Sequence, residues 1–271
     1  MSETGALTQE EQTFLRPFLP SHACASSASE GPIQDSRPPA KPDDRPFVTL
    51  TYACSLDSMI ALAPGARTTL SGPETKAMTH YLRLHHDAIL IGAGTAAVDD
   101  PGLNCRYPGA TLQDQPQPVI VDPNGRWDAK DKKASRLAAE GSGKAPWVVA
   151  RNGASSQEAL RQSGGDYLLV AGDASTSSMA WLEILQSLKR KGIRSVMIEG
   201  GAKVITALLA QPELVDAVII TIAPTFLGQG GVSVSPMPGT ANGQRTNAAW
   251  LRQASWRQFG ADAVLCGTLQ A

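Results

Sequence analysis

Short apolar runs, several of them β-branched, recur along the chain from residue 47 onward, and between some of them apolar residues return every three or four positions. Runs of the first kind suit strands buried on both faces of a parallel sheet. They fall at 47–54 (FVTLTYAC), 88–91, 119–122, 147–151, 167–170, 195–198, 218–222 and 263–269. The second pattern predicts helices. The clearest covers 179–191, where Trp181, Leu182, Leu185 and Leu188 share one face, and 204–209 suggests another. A third runs from Ser71 to about His86, with Ser71 as cap, Pro73 in the first turn and Glu74 reaching back. Strands alternating with helices predict an α/β domain with a mostly parallel central sheet. The last segments lack an intervening apolar helix, so they should pair antiparallel at one edge.

Residues 21–46 are rich in Ser, Ala and Pro, a composition that cannot bury enough surface to fold alone. We therefore read 1–46 as a flexible extension, with 10–19 as a short helix that docks elsewhere, and 47–271 as a single domain. Residues 228–247, rich in Gly, Pro, Ser and Asn, read as a long surface loop. A net charge of -1 with mixed signs offers no stripe for nucleic acid. No apolar run approaches the ~20 residues of a membrane helix. Cysteines 24, 54, 105 and 266 stand apart with no CxxC pair, so reduced thiols in a cytoplasmic protein are expected.

Chemistry concentrates at strand tips. Residues 92–106, GAGTAAVDDPGLNCR, follow the apolar run 88–91, and ligands gather beyond the carboxyl ends of parallel strands. Gly92 and Gly94 allow close backbone approach, Thr95 offers a hydroxyl, and Asp99, Asp100 and Arg106 supply both signs of charge. A strand followed by a polar turn would look the same. Residues 198–203, IEGGAK, repeat the logic, and a diphosphate would fit on such amides, although a plain tight turn also explains two glycines. The dinucleotide fingerprint GxGxxG is absent. Residues 55–58, SLDS, form a third tip, which an Asx turn explains without function. Arg67, Arg83 and Arg106 are candidates for a substrate phosphate. His80, His85 and His86 match no zinc spacing, and no metal site is expected.

Taken together, PFVTLTYACSLDS, RTTLSGPETKAMTHYLRLHHDAILIGAGTAAVDDPGLNCR, RSVMIEGGAKVI and TFLGQGGVSVSP make residues 47–269 resemble the fungal 2,5-diamino-6-ribosylamino-pyrimidinone 5′-phosphate reductases of riboflavin biosynthesis, related to the reductase half of the bacterial deaminase-reductase. The resemblance implies a dihydrofolate-reductase-like three-layer fold, a homodimer, NADPH as cofactor, and hydride transfer to C1′ of a phosphorylated ribosylamino-pyrimidine. It implies cofactor contacts at Ala53, Thr95, Asp99, Met179 and Gly200, Gly201, Ala202, Lys203 and Val204. On the substrate side it implies Arg67, Arg83, Leu103 and Arg106, with Glu199 near the sugar or pyrimidine. Where a side chain assists proton transfer, Glu199 is the first candidate and Asp57 the second. Arg151, charged and just past a strand, is a candidate partner for the cofactor 2′-phosphate. Two other readings share these strand tips: a reductase for another heterocycle, and a non-catalytic nucleotide-binding protein. The arginines favour a phosphorylated substrate over the first.

Overall fold

The computed structural model describes residues 5–21, 44–154, 158–171, 180–241 and 244–270. Nine strands form the central sheet: β1 (Phe47–Cys54), β3 (Ala88–Gly92), β4 (Gln117–Val121), β5 (Trp147–Arg151), β6 (Asp166–Val170), β7 (Ser195–Gly200), β8 (Ala217–Ile222), β12 (Trp250–Phe259) and β13 (Asp262–Gln270). Their spatial order is β12-β13-β8-β1-β7-β3-β4-β5-β6. All pairs from β8 to β6 are parallel, while β13 pairs antiparallel with β8 and with β12. This is the α/β architecture, parallel with an antiparallel carboxyl edge, that the hydrophobic pattern predicts.

Alternate side chains of each strand enter opposite layers, as the period of two requires. Leu90, Val119, Val196, Ile198 and Val218 meet Ile184, Leu185 and Leu188 of α6 (Trp181–Arg190) and Val204, Ile205 and Leu208 of α7 (Ala202–Leu209). On the other face, Met197, Ala217 and Ile219 meet Met78 and Leu82 of α2 (Pro73–Leu84), and Ile89, Ile91 and Ile120 meet Ala96 of α3 (Ala93–Asp99). The helix expected within 10–19 is α1 (Gln9–Leu15), closed by a capping box between Thr8 and Glu11. It docks: Leu15, Phe18 and Leu19 are buried with Met78, Leu82 and Phe259. Most of the stretch read as flexible, residues 22–43, lies outside the described residues, as does Cys24.

Four local readings change. Residues 93–99 form a helix rather than a turn. The cap of α2 is Gly72, not Ser71, and the Gly72 N–H donates to Asp262 Oδ2 at 2.8 Å, so a carboxylate from the far end of the chain replaces the expected box. Two further short helices, α4 (Lys133–Ala139) and α5 (Glu158–Gln162), lie between the outer strands. Within 228–247 the chain forms β9 (Val232–Ser233), paired with β2 (Met59–Ala61), and the hairpin β10 (Gly239–Ala241) and β11 (Gln244–Thr246). No helix among the described residues is long and apolar enough to cross a membrane.

Candidate active site

The carboxyl ends of β1, β7, β3 and β4 lie side by side and open into a cavity of about 1120 Å³. Single small-ligand sites run to ~300–1,000 Å³, so this cavity is large for one small ligand. Ala53, Thr95, Asp99, Glu199, Gly201, Ala202, Lys203 and Val204 line it. One wall thus gathers residues from three separate blocks of sequence.

Backbone conformation makes the glycine floor. Gly200 and Gly201 have φ of 108° and 73°, values that L side chains rarely adopt. A Cβ on Gly201 would lie 2.6 Å from Thr95 Oγ1, so α3 and α7 approach as closely as they do only because this residue has none. The Val204 and Ile205 N–H groups donate to Gly201 O at 2.9 and 3.0 Å, which leaves the first-turn amides of Ala202 and Lys203 without intrahelical acceptors. Bare amides, a helix amino terminus and the Lys203 side chain make a cradle that fits a diphosphate.

Glu199 and Arg83 are held as one unit. Arg83 Nε donates to Glu199 Oε1 at 2.9 Å and its Nη2 to Oε2 at 2.7 Å, while Nη1 donates to the Asn104 carbonyl at 2.9 Å. The side chains are 11% and 19% exposed, so this bidentate pair is largely shielded from water. Close by, the Arg106 N–H donates to His80 Nδ1 at 3.1 Å. Burial, then the charges of Arg83 and Arg106, press the His80 pKa down to about 3, so the ring is a neutral acceptor. Burial also lowers the Arg106 pKa, and Arg83 adds to that. Leu103 is buried with φ of 53°, a left-handed residue that turns the chain between α3 and Cys105.

Arg67 is exposed on the loop after β2. Burial raises the Asp99 pKa, and the Arg67 charge partly offsets this, which places the two within electrostatic reach. Gly200, packed under Ile205, and Arg67, Arg83, Leu103, Arg106 and Asp57 are not among the residues lining the cavity. Met179 lies outside the described residues.

Asp57, the second candidate for proton transfer, is engaged in the turn that residues 55–58 were expected to form. Its carboxylate accepts from the Ser55 hydroxyl, from Leu227 N–H at 3.1 Å and from Gly228 N–H at 2.7 Å, fastening the loop after β8 to the tip of β1. Those donors, Ser55 first, lower its pKa from 3.8 to about 2. A lowered value means that the anchoring is complete above the ordinary value and is lost as pH falls through about 2. Asp57→Ala should therefore raise amide exchange at Leu227 and Gly228 by roughly tenfold at neutral pH. Unchanged exchange at both amides would refute the anchor.

Several lining residues carry no signal that the motifs above use. Asp122, Pro123, Asn124, Arg126 and Trp127 form the tip of β4, and Trp181 and Ile184 open α6 beside it. The run VIVDPNGR is nonetheless a strand and turn like the other tips, and that pattern is visible in the sequence.

Comparison with known proteins agrees with this geometry. The 2,5-diamino-6-ribosylamino-4(3H)-pyrimidinone 5′-phosphate reductase of Saccharomyces cerevisiae is 43% identical over 225 residues, 83% of this chain and 87% of that protein. The Eremothecium gossypii protein of the same name is 41% identical over 270 residues, covering 97% and 98%. A solved structure of the Saccharomyces riboflavin biosynthesis reductase superposes with a TM-score of 0.74 at 36% identity, covering 97% of this chain and 100% of that one. Residues 46–265 match the family model described as the RibD C-terminal domain, a span that begins one residue before β1 and includes every strand tip of the cavity, and the chain belongs to that family.

Proposed function

We propose that this protein is an NADPH-dependent reductase that converts 2,5-diamino-6-(ribosylamino)-4(3H)-pyrimidinone 5′-phosphate to its ribitylamino product. The observation that carries the reading is the shared cavity, which both Gly201, at the amino terminus of α7, and Glu199 line. Relatives at 41–43% identity that bear this reductase name supply the substrate.

When bound, the nicotinamide supplies the hydride; the chain supplies alignment. Ala202, Lys203 and the amides of the glycine floor hold the diphosphate. Thr95 and Asp99, on α3, fix the cofactor on its other side. Opening of the substrate ribose breaks C1′–O4′, the N–H proton passing to the ring oxygen, and the resulting imine would take the hydride at carbon and a proton from water at nitrogen. Glu199, with both oxygens held by Arg83, works as a fixed anion that accepts hydrogen bonds from the sugar or pyrimidine. Asp57 acts through the loop it fastens. Arg106, within electrostatic reach of Arg83, and Arg67, beside Asp99, are the cations we assign to the substrate phosphate. The family resemblance also includes a homodimer, and we place its interface on β12, where Trp250 and Trp256 are 59% and 61% exposed.

The deciding experiment is an assay with the ribosylamino-pyrimidine phosphate and NADPH. The expected result is loss of NADPH absorbance only when substrate is present, with a product two hydrogens heavier. Turnover of dihydrofolate with none of this substrate would replace the reading by that of a reductase for another heterocycle.

A further inference from the structure

We infer that Arg126 is the residue that distinguishes NADPH from NADH, by receiving the 2′-phosphate on the adenosine ribose. This rests on the reductase reading above. Among the described residues two cationic side chains line the cavity, Lys203 and Arg126. Lys203 stands at the tip of β7 with the glycine floor. Arg126 stands in the turn beyond β4, two strands from β7, and strands ~4.8 Å apart separate those two tips by about 10 Å. That is of the order that separates the 5′ and 2′ phosphates of one ribose. The opposite end of the cavity, at β1 and β7, holds Ala53 and Glu199, so a dinucleotide with its reactive ring there must run its adenosine half towards β4.

The turn presenting Arg126 is built to hold it still. The Trp127 N–H donates to the buried Asp122 carboxylate at 2.6 Å and the Gly125 N–H to Asp122 O at 3.1 Å, closing residues 122–127 on themselves. Arg151, the strand-end cation that the sequence offers for this phosphate, is engaged with the same turn: its Nε donates to Pro123 O at 3.3 Å and its Nη2 to Asn124 Oδ1. Arg151 is thus a positioning residue. Arg126 is exposed and makes no ion pair or side-chain hydrogen bond with any described residue, so its guanidinium is available for a phosphate, which its planar fork suits.

The test is calorimetric titration of the purified protein with NADPH, NADH, 2′,5′-ADP and 5′-ADP. The unsubstituted protein should prefer NADPH to NADH and 2′,5′-ADP to 5′-ADP by tenfold or more. A charge-assisted hydrogen bond of this kind is worth about 1.5–3 kcal/mol, so Arg126→Gln should weaken NADPH and 2′,5′-ADP roughly 10- to 100-fold and NADH less than about threefold. Arg126→Lys should recover part of the affinity, and Arg151→Gln should reduce the preference. Thermal unfolding of each variant separates a weakened site from an unfolded protein. Equal losses for NADPH and NADH in a folded Arg126→Gln protein would overturn the assignment. So would an unsubstituted protein that binds both equally, and the reductase reading would then stand; binding of neither dinucleotide would end both.

Discussion

Gly201→Val is expected to weaken NADPH binding by about 100-fold or more while the protein still folds. Two effects add. Gly201 has φ of 73°, where a β-branched residue is strained by about 1–3 kcal/mol. Its new Cβ would also fall 2.6 Å from Thr95 Oγ1, a separation that atoms do not sustain. Since Thr95 belongs to α3 and Gly201 caps α7, relief requires the two helices to part or the α7 amino terminus to turn, and either displaces the amides proposed to hold the diphosphate. A hundredfold change in Kd is about 2.7 kcal/mol, within reach of these terms. Fluorescence titration with NADPH measures the loss, and calorimetry monitors folding. Gly201→Ala combined with Thr95→Ala removes the colliding oxygen, so it should bind better than Gly201→Ala alone if closure of the cleft is the cause. An unchanged Kd in the valine variant would mean that no ligand approaches this backbone.

The glycine floor was legible because its signal is local: an apolar run that makes a strand, then residues without side chains. The same holds for the strands whose pattern is continuous burial, such as β3, β7 and β8. Segments with no buried face were not legible. β12 reads WLRQASWRQF and buries only Phe259 among its ten residues, so it has no hydrophobic period, and it exists because β13 supplies a hydrogen-bonding partner. α3 reads AGTAAVD, where a glycine and small residues hide a seven-residue helix that buries only Ala96. Pairings distant in sequence were equally invisible. Asp262 caps α2 across 190 positions, and Arg83 reaches Glu199 across 116. The residue types in the site could be named from the sequence, but their pairing could not, because pairing follows from which strands lie adjacent.

That pairing gives the second large effect. Glu199→Ala is expected to lower stability by about 3 kcal/mol, at the low end for breaking a buried ion pair, because the pair keeps partial access to water. At ~2–4 °C per kcal/mol for a domain of this size, the midpoint should fall by roughly 6–12 °C. The cause is the unpaired charge that remains on Arg83 rather than the removal of the two hydrogen bonds, and this can be separated experimentally. In Arg83→Met/Glu199→Met both charges go and the volume is nearly kept, so most of the stability should return; the remaining deficit, about 1–3 kcal/mol, belongs to the Asn104 carbonyl that loses its donor. Activity should behave differently. If Glu199 holds the substrate, kcat/KM stays lower by about 10²-fold or more in both variants, since alanine has no acceptor and a thioether sulfur is only a weak one beside a carboxylate. Stability regained without activity would assign the carboxylate to the reaction and the ion pair to its orientation. Activity regained together with stability would instead make Glu199 a partner for Arg83 and nothing more.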